Sequence, residues 1–457
     1  MSTEFAAPVA PDGLLDRLGA AAKAGGADAV EITLLGRAGE YTRFAGGRVH
    51  QPQDILETQY SVRAIVDGHA ARAAVGTVNG LDEAVRRATT AARAMAHGDH
   101  GNATVATPAA AQDVVLWHDD TAAFDAAQRA QAAGRTMREA EKAGGHAAGM
   151  FGRALTQIAV VTSTGVAHHA LATEAIGSLT ATVGDGTSHW IDLHRSAAAL
   201  DLASSVDRTI AEAVAGQNRI PVPDGRYTIV LGPQAAGELL GFLEDAGFSG
   251  ELAAAKVGLV AQRAGDRVAS PLVTVADDAL ATVGLPIGFD MEGTPKRRVP
   301  LLTNGVVGEA VTNLATAKAL GTASTGHAHI AREEVPTPVA ANIVMDAGDA
   351  TEAELIAGVE RGIYVQRFWY TRLVDRLTAT ITGVSRDGCF LIEDGKLAQP
   401  VAGARFTHSI LDFLSTVDGV GAARRSQPVM NVWNGSVTAP ALRGHGFRFG
   451  SAKIEEN

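Results

Sequence analysis

The sequence YTIVLGPQAAGELLGFLEDAGFSG, residues 227–250, decides how the second half of this chain is interpreted. Residues 227–231 are apolar and rich in β-branched side chains, which predicts a buried strand that ends at Gly232-Pro233. Residues 235–246 predict a helix, with leucines on one face and acidic residues such as Glu238 and Asp245 on another. We expect these acids to lie on a solvated face. The helix has no His, Cys or Lys.

The residues before this stretch predict a layer of strands and helices. Helices are expected at 14–23 and at 83–95, the second with Asp82 as its candidate N-cap, and strands at 28–35, 40–44 and 57–66. A loop at 97–112, a long helix at 121–142, strands at 153–162, 165–171, 175–183 and 186–193, and a helix at 206–215 follow. This pattern is typical of an α+β domain in which a sheet packs under helices.

The proline-containing sequence NRIPVPDG, residues 218–225, predicts the main domain boundary. We therefore expect an N-terminal α+β domain at 1–222 and a β-rich domain at 223–457, giving an α+β fold class overall. In the second domain we predict short strands at 272–275, 299–303, 339–345, 377–384 and 389–393, with few helices, one of them at 351–358.

Size and composition limit the classes of function. A chain of 457 residues is long enough for two or three domains. The net charge of −11 argues against a nucleic-acid partner, because phosphate binding needs a basic face. The start, MSTEFAAPVAPDG, does not resemble a signal peptide, and no run of about 18 apolar residues predicts a membrane span. We expect a soluble, cytoplasmic protein.

A few residues could carry chemistry. His327 and His329 are two residues apart, so on a strand they would share one face and could bind a metal or a substrate; a polar loop that lines a cavity or faces a partner is the alternative. Asp277 and Asp278 follow a predicted strand and could hold a cation or form a turn. Cys389, the only cysteine, is a candidate nucleophile, but its apolar neighbours favour a buried structural role.

The order of several motifs resembles the TldD/PmbA family of peptidases. The motifs are IVLGPQAAGELL at 229–240, SPLVTVADD at 270–278, VPLLTNGVVGEAVTNLATAKALGTASTGHA at 299–328, ERGIYV at 360–365 and TATITGVSRDGCFLIEDGKLAQPVAG at 378–403. In the first half, SVRAIVDGHAARAAVGTVNG at 61–80 also fits. The resemblance therefore extends over nearly the whole chain.

The resemblance implies a dimer with unequal subunits. In this family a TldD-like subunit is a zinc metalloprotease with H-E-x-x-x-H on the helix after the VLGP-type strand and a Cys near the C-terminus, and a TldE- or PmbA-like subunit lacks these ligands. Here the matching helix segment, 241–246, reads GFLEDA, and the C-terminal segment MNVWNGSVTAPAL has no Cys. The resemblance thus identifies a TldE/PmbA-like chain that has no metal of its own, with zinc expected in a TldD-like partner.

Three hypotheses follow from these observations. In the first, the chain is a subunit of a peptidase complex that encloses unfolded peptides or small amides. In the second, it is itself a peptidase or amidohydrolase, acting alone or as a homodimer. The candidate catalytic residues are then His327, His329 and Cys389, with Asp277 and Asp278 as further candidates. In the third, it is a non-catalytic binding or scaffold protein. Within the stretch that carries the resemblance, the candidate substrate-binding residues are Thr325, Gly326 and Asn304.

Overall fold

A computed structural model of the chain describes residues 11–24, 26–96, 101–329, 336–428 and 435–450. The beginning of the predicted loop, residues 97–100, and the first part of the C-terminal segment MNVWNGSVTAPAL lie outside the described residues. None of the helices in the described ranges combines the length and the apolar character needed to cross a membrane.

The N-terminal half is built on one antiparallel sheet. Its strands are β1 (Ala29–Ala45), β2 (Arg48–Val66), β3 (His69–Val75), β4 (Gly145–Thr162), β5 (Ala167–Val183) and β6 (Gly186–His194). They lie in the order β3-β2-β1-β4-β5-β6. The first three strands in the chain and the last three each form a meander, and the two meanders join where β1 pairs with β4. The helices are α1 (Pro11–Ala24), α2 (Leu81–Met95), α3 (Asp119–Ala122), α4 (Ala126–Lys142) and α5 (Leu202–Ala215).

Both faces of this sheet are covered, one by helices and the other by residues from the second half of the chain. Because side chains alternate along a strand, successive residues of β4 face opposite sides. Val161 belongs to the core under α1 and α2. Val160, its neighbour, packs with Phe289 and Met291, which come from a loop of the C-terminal half. The segment 285–296 therefore serves as a lid of apolar side chains on the outer face of the N-terminal sheet.

The C-terminal half contains a second sheet, with 11 strands in the part of the chain that the structure describes. Its strands are β7 (Gly225–Leu231), β8 (Val275–Asp277), β9 (Val299–Thr303), β10 (Val306–Val307), β13 (Asn342–Met345), β14 (Arg361–Asp375), β15 (Thr380–Glu393), β16 (Lys396–Pro400), β17 (Arg405–Ser409), β18 (Gly419–Pro428) and β19 (Ser436–Phe449). A separate two-stranded pair consists of β11 (Ala328–His329) and β12 (Thr337–Pro338). The helices are α6 (Pro233–Gly247), α7 (Gly250–Ala254), α8 (Gly258–Arg263), α9 (Leu314–Leu320), α10 (Glu352–Ala357) and α11 (Ile410–Ser415).

Five strands of the second sheet close into a ring. β7 pairs with both β14 and β19, β14 pairs with β15, β15 with β17, and β17 with β19. Aromatic side chains fill the inside: the Phe447 ring lies 5.4 Å from Phe406, 5.8 Å from Phe368 and 5.9 Å from Phe413, measured between ring centroids. Closing the ring pairs the backbone N–H and C=O groups at the strand edges and encloses an apolar core.

The predicted α+β class is confirmed, with the β-rich second half described above. The boundary predicted between residues 222 and 223 stays a prediction. The first sheet ends at His194 and the second begins at Gly225, but the lid segment crosses back from the second half to the first.

Several predicted elements differ from the structure. Residues 40–44 continue β1, and the two strands predicted at 165–171 and 175–183 are one strand, β5. The long helix predicted at 121–142 is broken into α3 and α4, because Asp125 caps α4 through a capping box with Gln128. Asp82 is not the cap of α2; Gly80 holds that position, and Asp82 pairs with Arg17 at 3.1 Å. The predicted short strands at 377–384 and 389–393 belong largely to the long β15, which runs from 380 to 393.

Candidate functional site

The stretch that contains both candidate histidines is fixed by a tight loop. After α9 the chain returns at Thr325, whose hydroxyl accepts from the backbone N–H of Thr312 at 2.7 Å, while the Thr325 N–H donates to the Thr312 hydroxyl at 3.0 Å. Gly326 follows with a φ of +74°, and a Cβ there would lie 2.5 Å from the carbonyl oxygen of Pro295. Both the backbone conformation and the close approach require glycine. Thr325 and Gly326 thus position the histidines; their predicted role in substrate binding stays a prediction.

His327 points into the protein, towards Asp277 at the end of β8. Its Nε2 lies 2.9 Å from Asp277 Oδ1, and its Nδ1 lies 2.9 Å from the Thr325 hydroxyl. The second Asp277 oxygen accepts from the Asn342 N–H at 3.0 Å. The His327–Asp277 contact is short but poorly aligned, so neither His327 Nε2 nor Asp277 Oδ1 has a well-directed hydrogen bond among the described residues. Both side chains are fully enclosed.

Lys296 completes this buried group. Its Nζ lies 3.9 Å from Asp277 Oδ1, and only 3% of the residue is exposed. Burial opposes ionisation of Asp277, but Lys296 and His327 outweigh it and hold the pKa of Asp277 well below its usual range. Burial, reinforced by the Lys296 charge, lowers the pKa of His327. His327 Nδ1 also lies 2.9 Å from the carbonyl oxygen of Thr325, so the single proton of a neutral His327 has an acceptor at each end of the ring.

The Thr325–His327–Asp277 chain has the order of groups found in hydrolytic triads, but it is not arranged for attack on a substrate. A nucleophilic hydroxyl must reach the scissile carbonyl. Thr325 is only 2% exposed, and its hydroxyl also contacts the Thr312 backbone on both sides. The geometry is therefore that of a buried polar cross-link between the loop and β8.

His329 lies in β11, two residues after His327, and lines a cavity of about 380 Å³. Burial, with Lys296 nearby, lowers the pKa of His329 to about 4, so the ring is neutral at pH 7. The cavity lies between the outer face of the N-terminal sheet and the lid segment 285–296. Its apolar wall is formed by side chains from both halves: Leu35, Ile55, Ile158, Leu285, Ile287, Phe289 and Met291.

Charged side chains are placed at intervals around the cavity. Arg37 pairs with Glu174 at 2.8 Å across β1 and β5. Arg195 donates to the carbonyl oxygens of Thr173 at 3.0 Å and Pro286 at 2.8 Å. Within the described residues, no carboxylate lies within ion-pair distance of Arg195. Burial lowers the pKa of Arg195 to about 10, so it remains a cation at pH 7.

Acidic residues of the lid segment hold the cavity together. Asp290 accepts backbone hydrogen bonds from Glu292, Thr294 and Ala328 at 3.0, 2.8 and 2.9 Å. The bond to Ala328 ties the histidine strand to the lid. Burial raises the pKa of Asp290 to about 6, although these donors oppose the shift.

A second buried acid of the lid reaches the N-terminal sheet. Glu292 lies 3.5 Å from Arg63, which in turn lies 3.0 Å from Glu31. Burial and the neighbouring Glu31 charge raise the pKa of Glu292. The lid is therefore fastened to the first sheet by buried charges as well as by apolar packing.

The sequence did not indicate Lys296, Asp290 or Glu292 as parts of this site. They occur in FDMEGTPKRR, residues 289–298, which has no motif spacing and no periodicity. Only the tertiary fold brings them to the histidines. The single available signal was the position of this charged segment just before the family-like stretch at 299–328.

The structure does not bring the remaining candidates to the cavity. Asn304 is an exposed residue of the β9–β10 turn with a φ of +48°. Cys389 is buried in β15, and its thiol contacts the carbonyl oxygen of Asp387 at 3.5 Å. Burial raises the pKa of Cys389 to about 12, so the thiol is protonated at neutral pH and is a poor nucleophile. Neither residue lines the cavity.

Helix α6, which follows β7, is packed into the core. Phe242 and Leu243 are 3% and 2% exposed. One of the three acids of α6 is exposed as predicted: the side chain of Asp245 is 43% exposed and lies 3.6 Å from Arg376. The other two are largely covered: burial raises the pKa of Glu238, and it raises the pKa of Glu244 to about 7. One Glu244 oxygen accepts from the Ala340 N–H at 3.3 Å. Segment 241–246 therefore has no imidazole, and its buried carboxylate, Glu244, accepts a backbone hydrogen bond. These side chains do not form a ligand set that fits zinc.

The described ranges contain no group of three or more His, Cys, Asp and Glu side chains arranged to hold a metal ion. In the buried group around Asp277, the ammonium of Lys296 lies next to the carboxylate, in a place where a metal site would need another ligand.

Comparisons with known proteins agree with the fold. Residues 224–451 match the family model of the PmbA/TldA metallopeptidase C-terminal domain. A metalloprotease of Methanothermobacter thermautotrophicus is 29% identical over 219 residues, 47% of each chain. A metalloprotease TldD homolog of Haemophilus influenzae is 28% identical over 215 residues, 46% of this chain and 44% of the relative. The matches thus span slightly less than half of these relatives.

A solved structure is similar over almost the whole chain. The crystal structure of TldE from Thermococcus kodakarensis matches with a TM-score of 0.85 at 20% identity, covering 97% of this chain and 100% of the other. At this identity the similarity establishes the shared fold of both halves.

Proposed function

The chain belongs to the TldD/PmbA family, and from this premise we propose that it is the subunit without zinc ligands of a two-chain peptidase. In this proposal it pairs with a TldD-like zinc metalloprotease and forms part of the wall of a chamber for peptides or small amides. The partner supplies the metal, and this chain supplies a surface that binds and positions the substrate.

The observation that carries the proposal is the state of α6. The helix follows the β7 strand, as the family-like sequence predicts, but it is packed by glycine, alanine and large apolar side chains where a metallopeptidase needs imidazoles. Gly237 is so close to β18 that a Cβ there would lie 3.0 Å from the Gln427 side chain. Placing ligands along this helix would therefore require repacking the core of the second half.

The cavity between the two halves supports a role in binding substrate. Its volume of about 380 Å³ lies within the range of small-molecule sites, and its wall combines apolar side chains with a few charged ones. This is the composition expected of a surface that holds a peptide segment.

The test combines metal analysis with hydrolysis. The purified chain would be analysed for zinc, alone and after mixing with a TldD-like partner, and each sample would be assayed on unstructured peptides. Native mass spectrometry would give the composition of the assembly. We expect no stoichiometric zinc in the isolated chain, a complex with the partner, and turnover only in the mixture. A partner variant without its zinc ligands is the control, and it should assemble but not hydrolyse.

Turnover by the isolated chain would contradict this proposal and favour a second one, a self-sufficient peptidase or amidohydrolase. The observation behind the second proposal is the Asp277–His327 contact, with His329 next to the cavity. That proposal requires that a double variant, His327→Ala with His329→Ala, keeps its fold but loses activity.

A further inference from the structure

The ammonium group of Lys296 lies in the cavity wall with a single long ionic contact among the described residues. Only 3% of the residue is exposed. Its one ionic contact, to Asp277 Oδ1, is 3.9 Å long, and that oxygen lies closer to His327, at 2.9 Å. A buried cation that donates no hydrogen bond is costly, so its three N–H donors need a partner.

The backbone holds Lys296 rigidly in this place. Its N–H donates to the carbonyl oxygen of Gly288 at 3.1 Å. Its Cα packs against Gly326: a Cβ added to Gly326 would lie only 2.8 Å from the Cα of Lys296. The side chain belongs to the cavity wall together with His329. The ammonium is therefore presented to the cavity by two fixed segments of the chain, which is how binding groups are preorganised.

A second cation contacts the same lid segment. Arg195, which follows β6, donates to the carbonyl oxygen of Pro286, two residues from the Gly288 carbonyl that accepts from Lys296, and its hydrogen-bond partners among the described residues are carbonyl oxygens. The nearby acids are already engaged: Glu174 with Arg37, and Asp290 with three backbone N–H groups. Glu57, by contrast, is exposed at the cavity rim. The site thus has two cations in its buried part, neither of which donates a hydrogen bond to a carboxylate among the described residues, and a carboxylate at its open edge.

Between these charges the wall is apolar. Phe289 and Met291 pack with Ile158 across the junction of the two halves. A ligand that fits this order of surfaces has an anionic end, an apolar side chain beside it, and a remainder that can continue towards solvent. The C-terminal residue of a peptide has this order, and the volume of about 380 Å³ limits the enclosed part to a residue or two.

We propose that this cavity binds the free C-terminus of a peptide, with the terminal carboxylate on Lys296 and an apolar last side chain against Phe289 and Met291. The inference rests on the proposed function, because it assigns peptide as the ligand. It adds which end of the peptide this subunit holds.

The test is a binding measurement on the isolated, full-length chain. Isothermal titration calorimetry would compare acetyl-leucyl-leucine, the same dipeptide with a C-terminal amide, and free leucine. We expect the free acid to bind at least tenfold more tightly than the amide, and leucine to bind more weakly than the acid. Equal binding of acid and amide would overturn the carboxylate assignment, and equal binding of leucine would overturn the assignment to a peptide.

Two variants assign the effect to one residue. Lys296→Met should abolish the preference for the acid, whereas Lys396→Met, a change at an exposed lysine of β16, should keep it. A Lys296→Met chain that still prefers the acid would contradict the proposal. If that variant does not fold, the acid and amide comparison on the unaltered chain still decides.

This experiment needs neither the partner nor turnover, so its outcome separates the two proposals. Partner-dependent hydrolysis without a preference for the acid would reject the C-terminus site alone. A clear preference without partner-dependent hydrolysis would reject the two-chain peptidase alone.

Discussion

Replacing Glu244 of α6 with glutamine should make the stability of this chain less sensitive to pH. The carboxyl group is held in the protein interior, and burial is the largest cause that raises its pKa from 4.5 to about 7. Asp245 and Asp277 add to the increase, whereas the Ala340 N–H and Arg376 oppose it. The group therefore keeps its proton in the folded chain at pH values where the unfolded chain has released it.

The sign and size follow from this difference. Between about pH 4.5 and 7 the unfolded state binds fewer protons than the folded state, so the free energy of unfolding falls as the pH rises. Each pKa unit corresponds to about 1.4 kcal/mol, so a shift from 4.5 to about 7 sets a ceiling of about 3.5 kcal/mol on the loss. The side chain retains some solvent exposure, so we expect about 2 kcal/mol after screening. Glutamine resembles the protonated acid and does not titrate.

Urea unfolding at pH 5, 6, 7 and 8 would measure the effect, with the unaltered chain and Glu244→Gln compared at each pH. The variant should be close to the unaltered chain at pH 5 and more stable by about 2 kcal/mol at pH 8. Glu251→Gln, at an exposed position of α7, is the matched control and should show a constant difference. A difference for Glu244→Gln that does not change with pH would refute the reasoning.

Three further predictions test other parts of the structure. Phe447→Ala should lower the free energy of unfolding by about 4 kcal/mol, because it empties the centre of the strand ring; a loss below about 1 kcal/mol in urea titrations would argue against that core. Asp277→Asn should cost about 3 kcal/mol by leaving Lys296 without its anion, whereas Asp278→Asn, whose partner Arg298 is largely exposed, should cost less than about 1 kcal/mol; equal losses would contradict the buried cluster. Cys389 should react with a thiol reagent only after unfolding, and rapid labelling of the folded chain at pH 8 would disprove its burial.

The sequence was sufficient for elements whose pattern is local. The strand predicted at 227–231 and the helix predicted at 235–246 agree with β7 and α6 to within two residues at each end, because apolar runs, Gly232-Pro233 and leucine spacing act within the segment itself. The capped helix α10 was predicted in the same way, since Thr351 and Glu354 form a capping box.

Elements that depend on distant contacts were less predictable. β14 pairs with β15 through three register shifts, and Tyr370 adopts a φ of +56°, so the alternation of apolar residues is interrupted within one strand. β5 was divided in the prediction at Thr173 and Glu174, two polar residues that are buried because their partners come from elsewhere in the fold.

The candidate site shows the same limit. His327 and His329 were identified because their spacing is visible in the sequence. Lys296 and Asp290 were missed because they meet the histidines only through the fold. Glu238 and Glu244 of α6 were misplaced because helical periodicity shows which residues share a face, but not whether a second layer covers that face.

The lid segment also has a consequence for how the chain is synthesised. The N-terminal sheet is complete by β6, but one of its apolar faces is covered by Phe289 and Met291, which leave the ribosome about 130 residues after Val160. At typical rates of translation this delay is on the order of ten seconds. During that time the nascent sheet presents an uncovered apolar face. Chaperones that bind nascent chains are therefore expected to act at this stage, before either the cavity or the second core exists.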